Sequence, residues 1–162
     1  MDKKYFTELA KFNRVGTGQV CSWLQQISDE QWLRPVVSSF NSIHDTVLHM
    51  INAEDAWLQR FRKENLVRFD QRFTGTRQEL LELWQQTSQQ LSDWVAAFDE
   101  TKLRAPFTYR RFNGQEYTSL YYQVIAHVVN HATYHRGQLV TLLRQVGFTG
   151  VQSTDLIGFY RV

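Results

Sequence analysis

The chain has 162 residues, 43% of them hydrophobic and 21% charged. Such usage excludes a disordered or collagen-like chain and is enough to build a core without covalent staples. Lys and Arg number 18 against 16 for Asp and Glu, a net charge of +2, so no polyanion-binding surface is forced and no nucleic-acid partner is expected.

In chain order, four long segments carry a helical period. In the first, Phe6, Leu9, Ala10, Val20, Trp23, Leu24 and Ile27 recur at spacings of three and four, and the segment stops near Ser28. Ser28 and Gln31 form a capping-box pattern for a short turn that Pro35 ends. The second segment runs from about Ser42 to Phe61 with Ile43, Val47, Ile51, Leu58 and Phe61 on one face. Asn41 or Ser42 can cap it, and Asp45 suits the dipole of its first turn.

The basic side chains Arg60, Arg62, Lys63, Arg68 and Arg72 concentrate around the loop that follows. They read first as a solvated face and second as a binding patch. The third segment opens with the capping box of Thr76 and Glu79 and keeps Leu80, Trp84, Leu91, Val95 and Phe98 apolar on one side. From Phe107 to Thr118 the period changes. Asn113-Gly114 signals a two-residue hairpin turn whose central positions both need positive φ. The fourth segment is expected from Ser119 to Val146, capped by Thr118 and closed by Gly147, with roughly 42 Å of rise. The stretch from Thr154 to Tyr160 reads as a tail docking on the helices.

Four helices without a substantial sheet predict an all-α fold, an antiparallel four-helix bundle with a small hairpin or extended crossover before the last helix. No repeat or linker divides the chain, so residues 1–162 are treated as one domain. No apolar run reaches the roughly 18 residues of a membrane span, and the N-terminus lacks a signal-length apolar stretch. A cytoplasmic protein with no membrane partner is expected. The single Cys21 rules out an intramolecular disulfide and reads as a buried, inert thiol.

The five histidines are His44, His49, His127, His131 and His135. Three stand four residues apart on the last helix, where each neighbouring pair can offer two imidazoles to one ion. His127 and His135 are separated by about 12 Å of rise, too far to converge. One adjacent pair must be completed from the second helix, by His49 well inside it or by His44 in its first turn. Spacing alone leaves open the choice between His127/His131 and His131/His135. A set of three imidazoles would keep the open position of a catalytic rather than a structural zinc site.

Several neighbours are weighed with them. Asp45 is a dipole-balancing carboxylate that could also orient the ring of His49, and Glu54 is a weaker candidate for the same task. Gly137 inside a helix suggests the close approach of another helix or a ligand. Tyr134 reads as a packed aromatic, and Asn130 and Gln138 as ordinary polar neighbours. Gly16-Thr17-Gly18 lacks the rest of a dinucleotide fingerprint, no His has the Glu spacing of a di-iron bundle, and no nucleophile elbow supports a Ser-His-Asp triad.

The order of elements, Leu48-His49 on the second helix, and His127, His131 and His135 followed by Arg136-Gly137-Gln138-Leu139 on the last together resemble the DinB-like family, related to YfiT-like thiol transferases. The resemblance runs from Tyr5 to about Tyr160. It implies a metal held by one His of the second helix and two of the last, which by position are His49, His131 and His135, with the role of His127 left open. It also implies one zinc or nickel ion per chain, a homodimer, and partners that are a small-molecule thiol, an electrophilic substrate or both. The function expected is a metal-dependent low-molecular-weight-thiol S-transferase or hydrolase. The alternative is a non-catalytic, metal-stabilised binding protein.

Overall fold

The computed structural model describes residues 2–161. Four long helices form the bundle: α1 (Lys3–Leu24), α3 (Ile43–Arg62), α5 (Arg77–Ala97) and α6 (Tyr121–Gln145). Short helices α2 (Asp29–Leu33), α4 (Phe69–Arg72) and α7 (Leu156–Tyr160) decorate the connections and the tail. Strands β1 (Pro106–Arg110) and β2 (Glu116–Leu120) pair antiparallel with Thr108 opposite Thr118. No helix among the described residues is long and apolar enough to cross a membrane.

Caps fix the helix starts where side-chain oxygens meet otherwise orphaned amides. Ser42 accepts from Asp45 N–H, and Ser28 with Gln31 and Thr76 with Glu79 close full capping boxes. At the far end of α6, Gly147 has φ 91° and Phe148 N–H donates to Leu143 O at 2.8 Å, closing the helix as a Schellman turn.

The helices do not alternate in direction around the bundle. Asn13 reaches Ser88 and Cys21 faces Leu81, so α1 and α5 run antiparallel. His49 meets His131 while Trp57 meets His127, so α3 and α6 are antiparallel too. Phe6 packs on Tyr122 and Asn13 on Arg136, which makes α1 and α6 parallel. Glu54 with Trp84 and Phe61 with Trp94 make α3 and α5 parallel. Of the two parallel pairs, the consecutive one, α3 and α5, needs a long return, and the segment between them supplies it by running back along α3. Val67 N–H and C=O bond to the Gln59 amide, and Asp70 N–H donates to Asn52 Oδ1 at 3.1 Å.

Two apolar clusters fill the bundle. One holds Trp23, Trp32, Ile51, Leu80, Trp84 and Leu139, the other Phe6, Phe12, Phe61, Leu91, Phe107 and Val128. A buried polar layer lies between them. Arg136 Nη1 donates to Asn13 Oδ1 at 2.8 Å, and Asn13 Nδ2 donates to Glu54 Oε1 at 2.7 Å. Trp84 Nε1 donates to the other Glu54 oxygen at 3.0 Å. Buried charges are tolerated when they are bridged in this way.

Four local expectations need correcting. The last helix begins at Tyr121 rather than Ser119, because Thr118–Leu120 are spent in the β ladder, where Thr118 bonds Thr108 side chain to side chain at 2.8 Å. The hairpin tip is longer than a two-residue turn: Gly114 N–H closes on Arg111 O at 2.9 Å, and of Asn113 and Gly114 only the glycine has positive φ. Gly137 is exposed, with nothing within 4 Å of where its Cβ would lie. The close approach occurs at Gly16 instead, where a Cβ would stand 3.0 Å from Arg136 Nε. Glu54 belongs to the buried polar layer rather than to the histidines.

Candidate metal centre

The antiparallel pairing of α3 and α6 sets His49 opposite the turn between His131 and His135. His49 Nε2 lies 3.1 Å from His131 Nε2 and 3.1 Å from His135 Nε2. The three ring nitrogens fall within 4.8 Å of one another. Tetrahedral imidazole nitrogens about 2.0 Å from a zinc ion would be roughly 3.3 Å apart, so the donor set fits a divalent ion of that size. Without an ion, three lone-pair-bearing edges would face each other with too few protons to satisfy them.

Burial disfavours the charged rings. It pushes His49 down to about 4, with the nearby His135 adding to the effect. His131 is likewise driven down to about 4 by burial first and by His135, His49 and His127 after it. Burial also lowers His135, against the opposing hydrogen bond of Gln138. At neutral pH the rings are therefore neutral, the form that donates lone pairs.

The supporting contacts were not legible beforehand. Gln138 Oε1 sits 2.7 Å from His135 Nδ1, and its amide nitrogen donates to Ser39 Oγ and to Tyr134 Oη. Phe40, from the loop before α3, stacks on His49 with centroids 4.3 Å apart and leans on His135 at 5.8 Å. The spacing of Gln138, three residues past His135 on one helix face, was the signal available for it. Asp45 does not orient His49: its Oδ1 lies 3.0 Å from His44 Nδ1, and His44 packs edge-on against Trp32. Tyr134 is exposed rather than packed, its ring edge-on to His135.

His127 stays outside the cluster, its ring centroid 6.0 Å from that of His131 and 5.7 Å from that of Trp57. It lines, with His49, a cavity of about 650 Å³. The other walls come from Trp57 and Arg60 of α3, Arg68 of the return segment, and Tyr109, Arg111 and Phe112 of the hairpin. Arg60 Nε donates to Arg110 O at 3.0 Å and ties the hairpin to α3. Cys21 takes no part: it is buried, and burial raises its thiol to about 12.

The sequence profile of the DinB family matches residues 1–159. The chain belongs to the DinB family. It is 24% identical over 147 residues to the protein DinB of Bacillus subtilis (strain 168), covering 87% of this chain and 86% of that one. Its fold is similar to that of YfiT from Bacillus subtilis, described as a "probable metal-dependent hydrolase with an unusual four-helix bundle topology". That match has a TM-score of 0.73 at 13% identity and covers 92% of this chain and 91% of YfiT. A DinB-like protein of the same organism matches with a TM-score of 0.68 at 13% identity, over 91% of this chain and 97% of its own. The helical bundle with its small two-stranded sheet is thus that of the family, as the order of elements implied.

Proposed function

We propose that this DinB family chain is a metal-dependent enzyme in which His49, His131 and His135 hold one divalent ion, zinc or nickel, beside the cavity. The observation that carries the reading is the convergence of three Nε2 atoms, two of the separations being 3.1 Å, with one of the three rings, His49, also lining a cavity large enough for a small organic substrate. An ion held by these three imidazoles would supply Lewis acidity and lower the pKa of a thiol or water, which would give a strong nucleophile near neutral pH.

The chain's own residues do the rest. Phe40 covers the ring face of His49, and Gln138 fixes His135 with Nε2 unprotonated. The aromatic walls of Trp57, Tyr109 and Phe112 hold the apolar part of a substrate. His127 faces the same cavity and can accept or return a proton at its free ring edge. The cavity lining contains no carboxylate, which leaves His127 as the group to take the proton of a thiol or a water nucleophile. The thiol reading, a low-molecular-weight thiol attacking an electrophilic substrate, rests on the resemblance to YfiT-like thiol transferases.

The test is elemental analysis of untagged protein beside His49→Ala, His131→Ala, His135→Ala and His127→Ala, followed by thiol-consumption assays on a panel of electrophiles. About one divalent ion per chain is expected, lost in the first three variants and kept in His127→Ala. No ion in protein from metal-replete cells would overturn the reading. Metal lost in His127→Ala but kept in His135→Ala would overturn the ligand set. An ion bound without turnover of any thiol or ester would leave a metal-stabilised binding protein.

A further inference from the structure

We infer that the cavity beside the histidines takes a small organic anion, its oxyanion held by Arg60 and Arg111 and its apolar part lying against Trp57, Tyr109 and Phe112. The inference rests on reading the cavity as the substrate site, and it adds the charge and shape of what enters.

The guanidinium pairing singles out these two side chains. Of the three arginines that line the cavity, Arg68 is neutralised by Asp70, and outside the lining Arg72 pairs with Asp55 and Arg110 with Glu116. Among the described residues no carboxylate pairs with Arg60 or Arg111, although both line the cavity. Arg60 is held in place by the Arg110 carbonyl and by Trp57, over whose ring its guanidinium carbon lies at 4.5 Å. Arg111 projects from the hairpin tip beside Tyr117. Burial disfavours the Arg60 charge, Tyr109 opposes that effect, and Arg111 adds to it as a like charge. Two cations facing one apolar-walled cavity are costly alone and offset by a bound anion, which accepts charge-assisted hydrogen bonds from both.

The placement also sets the shape of the ligand. The Arg60 guanidinium lies over the ring of Trp57, which is eight residues past His49 on α3, about 12 Å of helix rise. A bare phosphate or acetate cannot touch both ends of the cavity. An extended molecule can, with its reacting atom at the histidines and its carboxylate or phosphonate at the guanidiniums, and flat apolar groups between.

The test compares naphthylacetate and naphthylmethylphosphonate with the neutral naphthylacetamide by isothermal titration calorimetry, on metal-loaded and on chelator-treated protein. At least one anion is expected to bind about tenfold or more tighter than the amide. The order of the two anions then tells carboxylate from phosphonate chemistry. Arg60→Gln and Arg111→Gln should each erase most of the preference, and the exposed Arg34→Gln should keep it. Arg111 is exposed at a loop tip, so its variant carries the test even where Arg60→Gln folds poorly. Equal affinity for anion and amide, no binding of any probe, or an unchanged preference in folded Arg111→Gln would overturn the inference. The metal content of the same samples separates the two readings. Bound metal without anion preference sinks only this one, and anion preference in a chain that takes up no metal sinks only the enzyme.

Discussion

Gln138 Oε1 lies 2.7 Å from His135 Nδ1, on the ring edge away from the other histidines. An amide oxygen can only accept, so Nδ1 carries the proton and Nε2 keeps its lone pair. The amide nitrogen is directed to the hydroxyls of Ser39 and Tyr134, which hold the side chain beside the ring. Gln138→Leu should therefore weaken metal binding by about 10- to 100-fold while the fold stays intact. Competition with a chromophoric chelator, read beside the far-UV spectrum, measures it. Unchanged affinity would show that the Gln138 contact has no hold on the ring.

Asn13 bridges the two buried charges, accepting from Arg136 and donating to Glu54. Asn13→Leu would leave both charges without their shared partner in the middle of the core. A loss on the order of 3–5 kcal/mol is expected in urea unfolding. A loss below about 1 kcal/mol would mean that the layer contributes little to stability.

Burial raises Glu54 from 4.5 to about 7, against the hydrogen bonds of Ser88, Trp84 and Asn13 and the charge of Arg136. A folded-state value above the unfolded one means the native state binds the extra proton. That stability is fully present below about 4.5 and is lost as pH rises through about 7. The buried histidines act oppositely, because lowered values remove stability as pH falls, so only a difference between variants isolates Glu54. With metal chelated, the stability of the wild type relative to Glu54→Gln should fall by on the order of 3 kcal/mol between these limits. Thermal unfolding across the pH series measures it, and a constant difference would contradict the raised value.

The two helical glycines should respond with opposite signs. Gly16→Ala places a methyl group 3.0 Å from Nε of the fully buried Arg136 and is expected to cost about 1–3 kcal/mol. Gly137→Ala meets nothing within 4 Å and should gain about 1 kcal/mol of helix propensity. Thermal unfolding of the pair decides it, and equal effects would refute the packing argument.

Cys21 is buried with its thiol raised to about 12, so iodoacetamide should leave it unmodified in the native protein and label it only on unfolding. Mass spectrometry after a timed exposure reads the result. Rapid labelling without unfolding would make Cys21 a candidate nucleophile.

The sequence by itself determined the four helices, the caps at Ser28, Ser42, Thr76 and Gly147 and the buried stripes, because capping and periodicity act within one or two turns of chain. Ser28, Thr76 and Gly147 end or begin helices where their side-chain oxygens or lack of a Cβ dictate. It also determined that imidazoles share a face on two helices, since residues four apart must do so. Tertiary structure decided which of them meet. His131 and His135 converge with His49, and His127 turns to Trp57, because α3 and α6 run antiparallel in a particular register. Arg136 is fully buried because Asn13 from another helix and Thr133 accept from its two terminal nitrogens. Arg60 and Arg111 share a cavity only because the hairpin folds over α3. Such meetings join residues tens of positions apart, and local periodicity carries no record of them.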